Sequence, residues 1–392
     1  MRTGIVHARV VCDQDRMLED GAVIVEQGRI MAVLEADAVR PDMADCFLDA
    51  RGLTLTPGWI DIHIHGAGGR DLIEGTAEAV RTVSENVIRD GCTSFIASLT
   101  VVSHPQMLSI LENLAGCSMD QPGASLLGIH SEGPYLSVQY KALMNEQWLR
   151  DPSLEELRQM CEAAQGHLKL MTVAPERPGM PELIEAAVAE GITVMIGHTA
   201  ATSAQVHQAR LCGAAGFTHL YNAMSQHLHR QPGCVTGAFL EKAMAAELIA
   251  DGFHVDPEVV RVTWQHFGSS RLVLITDAML GKGMPDGCFE FSGLLCRKKG
   301  QHVRVVETGR RAGSAIGMND AVRMMQQMCG CTPCQLVEMA AVNPARLIGV
   351  SNSKGRILPG MDADLALFDQ QWNCHAAWVR GECRWKSEDC GF

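Results

Sequence analysis

The sequence predicts an α/β fold, a (β/α)8 TIM-like barrel in which each of eight parallel strands is followed by a helix. Between residues 57 and 350, short apolar runs alternate with segments of helix length. The runs are LTPGWIDIHIH, GCTSFIASL, ASLLGIHSEG, LKLMTVAPE, GITVMIGH, GFTHL and RLVLITDAM. Such alternation indicates a parallel sheet covered by helices. Seven or eight units in about 290 residues match the count and length of this barrel.

The two ends of the chain have a different pattern, made of short strands. Residues 21–34, GAVIVEQGRIMAVL, alternate apolar and polar positions around Gly28, which predicts a β-hairpin with the glycine in its turn. The segments GRILPGMDADLALFD and AAWVRGECRW, near the other end, have the same character.

The composition is that of a folded, acidic protein. The chain has 392 residues, 47% hydrophobic and 20% charged, which excludes a disordered, collagen-like or coiled-coil protein. Its formal charge of −12 argues against nucleic acid and anionic membranes as partners. We find no apolar stretch long enough for a transmembrane helix and no signal-peptide pattern. The 15 cysteines are too sparse for a disulfide scaffold, and an odd number cannot pair completely within one chain. Reduced thiols fit best, so we expect a cytoplasmic protein.

Two histidines in GWIDIHIHG are the first candidates for metal binding. His63 and His65 are two residues apart in a predicted strand, so both imidazoles lie on one face and can share a metal. The pair alone is weak evidence, because 15 histidines in one chain produce such pairs by chance. A second pair, His227 and His229, lies in a polar segment that we expect to be a loop.

Polar residues at the ends of other apolar runs strengthen this prediction. They are Glu132 in GIHSEGPYL, His198 in MIGHT, His219 in FTHLYNAM and Asp277 in LITDAM. Because the carboxyl ends of barrel strands meet on one face, these side chains should converge. The alternative is a set of unrelated core histidines and helix caps, which would have to fall at successive strand ends by accident.

With these residues the sequence resembles the metal-dependent amidohydrolases, and among them the deacetylases of N-acetylglucosamine 6-phosphate and their galactosamine counterparts. The resemblance spans nearly the whole chain. Its motifs, in order, are PGWIDIHIHG, GCTSFIASL, HSEGPYL, TVAPE, GHT, THLYNAM, RQPG, DGFH, TDAM, AGS, NPARLIG and GRILPGMDADLALFD. It implies a catalytic barrel, which we expect at residues 56–350, and a small β-sandwich domain formed by residues 1–55 and 351–392.

The resemblance also implies a metal site. In two-metal members of the family, the ligands are the HxH pair, the glutamate of HxEGP and the histidines of GHT and THL. Carried onto this chain, they are His63, His65, Glu132, His198 and His219. Some relatives lose the HxH pair and bind one metal, so its retention here favours two ions. Imidazole and carboxylate suit Zn²⁺ first, with Fe²⁺ or Mn²⁺ as alternatives.

Hydrolysis of an amide needs a hydroxide, a polarised carbonyl and a proton for the departing amine. A divalent metal supplies the hydroxide at neutral pH, because the pKa of its bound water falls to about 7. Asp277 is the catalytic candidate that takes a proton from this water and passes it to the leaving nitrogen; its alternative role is a helix N-cap. His254 in DGFH matches a substrate-contacting residue of the family and would polarise the acetyl carbonyl or bind a sugar hydroxyl.

A substrate phosphate would need local cations, because the chain as a whole is acidic. Arg230 in HRQPG matches the arginine that binds the sugar phosphate in the family, where the neighbouring subunit often supplies it. We therefore expect a homodimer in which Arg230 acts across the interface. The planar guanidinium suits phosphate because it donates two parallel hydrogen bonds. Asn222 and Ala223 of LYNAM would add backbone contacts.

Two positions depart from the family pattern at the expected sugar pocket. Relatives usually have a Gly-x-His turn after HxEGP, whereas this chain has QYKALMNEQ with Met144 at the histidine's place. An apolar residue usually precedes AGS, whereas this chain has Arg311. Both departures bear on the identity of the acyl amino sugar rather than on metal-assisted hydrolysis.

The cysteines of CGCTPC do not predict a metal or redox site. We expect a helix to begin at Thr332 with Pro333 in its first turn, so Cys329, Cys331 and Cys334 would serve packing and capping.

These observations together predict a metal-dependent deacetylase of N-acetylhexosamine 6-phosphates. Two alternatives stay open: an amidohydrolase for another N-acyl or cyclic amide, and an inactive paralogue that only binds a sugar phosphate. Retention of Asp277 and all five ligands argues against the inactive protein. The sequence does not select the hexosamine epimer.

Overall fold

Strands from both ends of the chain belong to one sheet. The computed structural model describes residues 1–291 and 293–388. The N-terminal strands are β1 Arg2–Val11, β2 Met17–Glu26, β3 Arg29–Glu35, β4 Cys46–Asp49 and β5 Thr54–Pro57. Strands β2 and β3 pair antiparallel, which confirms the predicted hairpin. Its turn needs Gly28 because the backbone there is left-handed, with φ of 78°.

The middle of the chain contains the barrel. The strands in this part of the chain, inside and outside the barrel sheet, are β6 Trp59–Ile64, β7 Gly66–Ala67, β8 Arg70–Asp71, β9 Cys92–Leu99, β10 Ser125–Glu132, β11 Leu168–Val173, β12 Thr193–Ile196, β13 Gly216–Phe217, β14 His227–Leu228, β15 Gln231–Pro232, β16 Ala245–Ile249, β17 Leu272–Ile275, β18 Gly287–Phe291, β19 Leu294–Lys299 and β20 His302–Val305. Eight of these form a parallel sheet in the order β6, β9, β10, β11, β12, β13, β16, β17. The structure therefore confirms the predicted fold class.

Helices cover the outside of the barrel. They are α1 Ala77–Val87, α2 His104–Ala115, α3 Leu154–Ala164, α4 Met180–Ala189, α5 Ser203–Leu211, α6 Cys234–Leu240, α7 Pro257–Arg271, α8 Met318–Cys329, α9 Pro333–Val337 and α10 Asn343–Leu347, with a π-helical turn at Glu338–Val342. Short 3₁₀ turns lie at Ala36–Ala38, Pro41–Met43, Leu72–Glu74, Ile88–Asp90, Val138–Tyr140 and Glu146–Trp148. Every residue of β9 is buried, as expected for a strand covered on both faces. Within the described residues, no helix is both long and apolar enough to cross a membrane.

The barrel closes where its first strand meets its last. Ile64 and Ala278 form a parallel β-bridge beyond the end of β17. Below it, the buried carboxylate of Asp61 on β6 accepts hydrogen bonds from the backbone N–H groups of His63 and Thr276 and from the Thr276 hydroxyl. Burial, only partly opposed by these hydrogen bonds, raises the pKa of Asp61 to about 6. This closure joins the HxH strand to the strand that leads to Asp277.

The C-terminal strands β21 Leu365–Phe368, β22 Cys374–Val379 and β23 Glu382–Lys386 complete the terminal sheet. Its order is β23, β22, β21, β5, β1, β2, β3, with β4 beside β1. Val23 of β2, Leu365 of β21 and Trp378 of β22 share one hydrophobic cluster, so strands from both termini pack around one small core. The exact boundaries between this domain and the barrel stay a proposal.

A three-stranded insertion follows β17 and packs beside the mouth of the barrel. Strands β18, β19 and β20 are antiparallel. Phe291, Cys296 and Val303 from these strands form a small core together with Met279 and Ala312. A β-bridge between Arg304 and Arg311 returns the chain to the barrel rim.

We predict that Asp61→Ala lowers the free energy of unfolding by about 2–4 kcal/mol, because it leaves buried donors at the barrel closure without an acceptor. Denaturant titration followed by circular dichroism would measure this loss. Asp61→Asn keeps one acceptor oxygen and should lose less. The control is Asp37→Ala on an exposed turn, where the change should stay within about 0.5 kcal/mol. Equal stability of Asp61→Ala and the control would contradict the assignment.

Candidate metal centre and active site

A cavity of about 470 Å³ opens at the carboxyl ends of the barrel strands. It is lined by ten of the residues singled out from the sequence: His65, Glu132, Met144, His198, His219, Asn222, Ala223, His254, Asp277 and Arg311. His63 lies directly beneath, with its imidazole fully buried. The predicted convergence of strand-end residues is therefore present in the structure.

The candidate ligands form two groups of three, each compact enough to hold one ion. One group is His63, His65 and Asp277, and the other is Glu132, His198 and His219. Glu132 connects the two groups. Its Oε1 lies 3.1 Å from Nε2 of His198 and 3.0 Å from Nε2 of His219, and its Oε2 lies 3.3 Å from Nε2 of His65.

Three of these imidazoles are oriented by hydrogen bonds on their far side. Nδ1 of His65 donates to the backbone oxygen of Ser98 at 3.2 Å, and Nδ1 of His198 donates to the backbone oxygen of Tyr140 at 2.8 Å. Nδ1 of His63 donates to the carboxylate of Glu247 at 3.0 Å. Because these oxygens only accept, each Nδ1 carries a proton, and Nε2 is the nitrogen that faces the cluster and can become a metal ligand once it has no proton.

The pKa values reflect an excess of buried negative charge in the bare protein. Burial by itself lowers the pKa of His63, but the carboxylates of Glu132 and Glu247 outweigh this effect and raise it to about 9. The pKa of His65 is also raised, since hydrogen bonds to Asp277 and Glu132 outweigh its burial. Conversely, the histidines hold the pKa of Glu132 well below its usual range, although burial opposes this. The cluster therefore needs compensating positive charge.

The donor set fits divalent metal ions. Nε2 of His198 and Nε2 of His219 approach to 3.1 Å, and Nε2 of His63 and Nε2 of His65 approach to 3.3 Å. Nε2 atoms this close repel each other both as lone pairs and as protonated groups, and a metal cation between them relieves the repulsion; imidazole with carboxylate is also a common ligand set for transition metals. Each of the two groups can hold a divalent metal, and Glu132 can bridge them.

Asp277 and His254 are the candidate proton-handling groups. Oδ1 of Asp277 lies 3.3 Å from Nε2 of His65, and its backbone N–H donates to the oxygen of His63 at 2.9 Å. Burial raises the pKa of Asp277, but the hydrogen bond and charges of the histidines prevail and lower it to about 2, so the carboxylate is ionised. Nδ1 of His254 donates to Asp251 at 2.6 Å, which leaves Nε2 for the pocket.

Four residues of the site have a left-handed backbone that non-glycine residues rarely adopt. The φ angles are 47° at His198, 32° at His219, 49° at Ala223 and 48° at Asp277. Such strained positions cost free energy and cluster at functional sites. His198, His219 and Asp277 lie at sharp turns directly after β12, β13 and β17, Ala223 lies farther along the loop after β13, and all four line the cavity.

The candidate substrate contacts differ in their positions. Met144 is buried in the pocket wall, packed with Val101 and Leu136, whereas Arg311 is exposed at the rim. The backbone N–H of Asn222 is already engaged, donating to the oxygen of His219 at 3.0 Å. Arg230 does not line the cavity of its own chain; it lies on the exposed turn between β14 and β15.

The remaining sequence candidates lie outside the site. His227 is on the exposed strand β14 and His229 on the turn that follows, and neither lines the main cavity.

Helix α9 begins as predicted, with the Thr332 side chain accepting a hydrogen bond from the N–H of Gln335. Cys331 packs in the barrel core. Cys329, Cys331 and Cys334 are free thiols, and the cytoplasmic location stays a prediction.

Two supporting carboxylates were missed by the sequence analysis. Glu247 on β16 is fully buried, and its Oε2 accepts from both His63 and the backbone N–H of His219. Glu176 accepts from the hydroxyl of Thr199 and from the N–H of Ala200, and so fixes the loop after His198. A glutamate inside the apolar run AMAAELIAD was the available signal for Glu247.

We predict that Glu247→Ala weakens metal retention by about 10–100-fold, because His63 loses the partner that fixes its tautomer and orientation. Metal content measured against increasing chelator concentration would show it, with circular dichroism to verify folding. Glu247→Gln keeps an acceptor oxygen and should have a smaller effect. Metal retention like that of the wild type in the alanine variant would contradict this role.

Comparison with known proteins agrees with this geometry. The amidohydrolase family profile matches residues 54–385. The chain is 32% identical to the N-acetylglucosamine-6-phosphate deacetylase of Bacillus subtilis, over 97% of this chain and 96% of that one. It is also 32% identical to the N-acetylgalactosamine-6-phosphate deacetylase of Escherichia coli O157:H7, over 97% and 99%.

Solved structures of deacetylases also superimpose closely on this chain. The N-acetylglucosamine-6-phosphate deacetylase of Pasteurella multocida superimposes with a TM-score of 0.90 at 29% identity, covering 98% of this chain and 99% of that one. A variant of the Mycobacterium smegmatis deacetylase in complex with N-acetyl-D-glucosamine-6-phosphate gives 0.90 at 30% identity, with coverage of 98% and 99%. The chain therefore belongs to the amidohydrolase family, among its N-acetylhexosamine-6-phosphate deacetylases, and is a hydrolase of amides.

Proposed function

We propose that this chain hydrolyses the acetamide of an N-acetylhexosamine 6-phosphate to acetate and the amino sugar phosphate. The observation that carries the proposal is the pair of ligand groups at the cavity, one of which contains Asp277 and the other Glu132, whose carboxylate also reaches His65 of the first group. The names of the relatives support the substrate class, because deacetylases of both sugar phosphates match over nearly their full length. A cyclic amide substrate and an inactive protein have no comparable support.

We propose two Zn²⁺ ions as the cofactor, with Fe²⁺ or Mn²⁺ as alternatives. The ligands would be His63, His65, Glu132, His198 and His219. Bound divalent metal supplies Lewis acidity, which polarises the amide carbonyl and acidifies water near neutral pH. The imidazole and carboxylate donors support this choice, and their tautomers are already set for it.

The protein's own groups handle the proton and the substrate carbonyl. Asp277 is ionised and accepts a proton from the attacking water; it then returns the proton to the nitrogen that leaves as an amine. Breaking the C–N bond gives acetate and the amino sugar phosphate, so the water is consumed. His254, held by Asp251, directs Nε2 into the cavity and donates to the carbonyl oxygen or to a sugar hydroxyl.

The preference of the protein for one hexosamine epimer over another would depend on the residues in the cavity wall. Met144 stands where relatives usually have a histidine, and an apolar thioether donates no strong hydrogen bond to a sugar hydroxyl. One such hydrogen bond contributes about 0.5–1.5 kcal/mol. We therefore expect weak discrimination between the gluco and galacto substrates, consistent with equal identity to both kinds of relative.

Arg230 is proposed to bind the phosphate of a neighbouring subunit in a homodimer. Its exposed position on the β14–β15 turn, outside its own cavity, supports an action across an interface. Ala223 would contribute a backbone contact from the pocket side.

We predict acetate release from N-acetylglucosamine 6-phosphate and N-acetylgalactosamine 6-phosphate with kcat/KM values within about tenfold of each other, the effect of one hydrogen bond. The assay compares gluco, galacto and manno substrates, each with and without the phosphate. Protein stripped of metal is the control and should regain activity with Zn²⁺. If no phosphorylated sugar releases acetate, the proposed function is wrong.

We predict that Asp277→Asn lowers kcat at least 10²-fold, because an amide neither accepts nor returns the proton. Asparagine tolerates the left-handed backbone of this position, so the variant should fold and retain metal. Steady-state kinetics together with metal analysis separates the two effects. A rate near that of the wild type would assign the proton transfer to another group, first of all His254.

A further inference from the structure

Arg311 is a cation at the rim of the cavity that the proposed chemistry does not use. Among the described residues that line the cavity, it is the one arginine, and no lysine lines it. Its side chain is exposed and has no hydrogen bond or ion pair with any residue in the described ranges 1–291 and 293–388. A guanidinium that faces a substrate cavity without a protein partner is available to an anionic ligand.

The insertion that carries Arg311 is basic in an otherwise acidic protein. Residues 286–311 contain six arginines and lysines and three acidic residues, whereas the whole chain has a formal charge of −12. Lys298 is paired with Asp286, and a guanidinium N–H of Arg304 donates to the backbone oxygen of Gly309 at 2.9 Å. The Gly309 oxygen carries no charge, so the positive charge of Arg304 is not neutralised, and it lies beside Arg311 in the cleft that both residues line.

Neighbouring groups hold the rim in place beside the candidate catalytic loop. Arg311 and His254 line both the main cavity and a narrow cleft next to it, whereas Arg304 lines the cleft alone. The ring of His302 on β20 lies 3.6 Å from the ring of Phe253, measured between centroids. The β-bridge between Arg304 and Arg311 fixes the backbone on the other side. The backbone of Arg311 is therefore held against strand β20 by this bridge.

We infer that Arg311 binds the phosphate of the substrate within its own chain, as a specificity-determining residue that acts in addition to the proposed Arg230 of a neighbouring subunit. The inference rests on the proposed function, because it assigns a group to that substrate's phosphate. A phosphate dianion entering this cavity meets no other arginine or lysine from the same chain among the described lining residues. The planar fork of Arg311 can donate two parallel hydrogen bonds to its oxygens.

Binding of the amino sugar products tests this inference without any turnover. Isothermal titration of the metal-loaded protein with glucosamine 6-phosphate and with glucosamine compares the same sugar with and without phosphate. Arg311→Met should weaken binding of the phosphorylated sugar about 10–100-fold and leave binding of glucosamine unchanged, as expected for loss of hydrogen bonds to a charged group. Arg311→Lys keeps the charge without the fork and should recover part of the loss.

Arg310→Met is the matched control, because Arg310 is an exposed neighbour that does not line the cavity. It should behave like the wild type. Steady-state kinetics should agree with the titrations, with KM for the phosphorylated substrate raised in Arg311→Met and kcat little changed. If Arg311→Met binds the phosphorylated sugar as tightly as Arg310→Met does, the inference is overturned, although the proposed function stands. If the wild-type protein releases acetate from no sugar phosphate, the proposed function fails first, and the inference fails with it.

Discussion

The buried carboxylate of Glu132 is the interaction on which the arrangement of the site depends. A carboxylate this deep is too costly to bury unless positive charge or hydrogen-bond donors surround it. Four imidazoles approach it, and two further carboxylates, Asp277 and Glu247, lie next to these imidazoles. Protons on the histidines can balance this charge in the bare protein, and divalent metal would balance it without protonating the ligands. The buried carboxylates that are costly for the stability of the bare protein thus also favour the binding of a cation.

The barrel maintains this arrangement through groups that cannot easily reorient. Two of the outer acceptors are backbone oxygens, at Ser98 and Tyr140, so their direction is set by the fold and not by a side-chain rotamer. The closure through Asp61 ties the HxH strand to the strand that precedes Asp277. Left-handed turns after three strands direct the remaining residues inward, and the strain of these turns is supported by the packed barrel around them. Preorganised groups of this kind need little rearrangement when the substrate binds.

The parts of the site that follow from local pattern were predictable from the sequence, and those that depend on packing between distant elements were not. Alternating runs predicted the barrel, and a barrel requires strand-end residues such as Glu132 and Asp277 to converge. Glu247 was missed because its partner, His63, is 184 residues away in sequence. The insertion of three strands beside the mouth was also missed, since its short runs resemble loop punctuation between β17 and α8. The proposed role of Arg230 was expected only from the family resemblance, because this residue lies outside the cavity of its own chain and its action would need a second subunit.

The wall of the cavity determines how strongly its few charges act. Much of the remaining lining is apolar: Val101, Met144 and Trp148 belong to one small hydrophobic cluster, and Met279 and Phe291 belong to another. A ligand that fills this space displaces water, and the local dielectric constant falls, so each remaining charge interacts more strongly than it would in solvent. Under the proposed function, Met144 and Arg311 would therefore act in the same direction. An apolar Met144 would give a neutral sugar hydroxyl no strong directional contact, and Arg311 would attract an anion, so recognition would depend less on the epimeric centre of the sugar and more on its charged substituent.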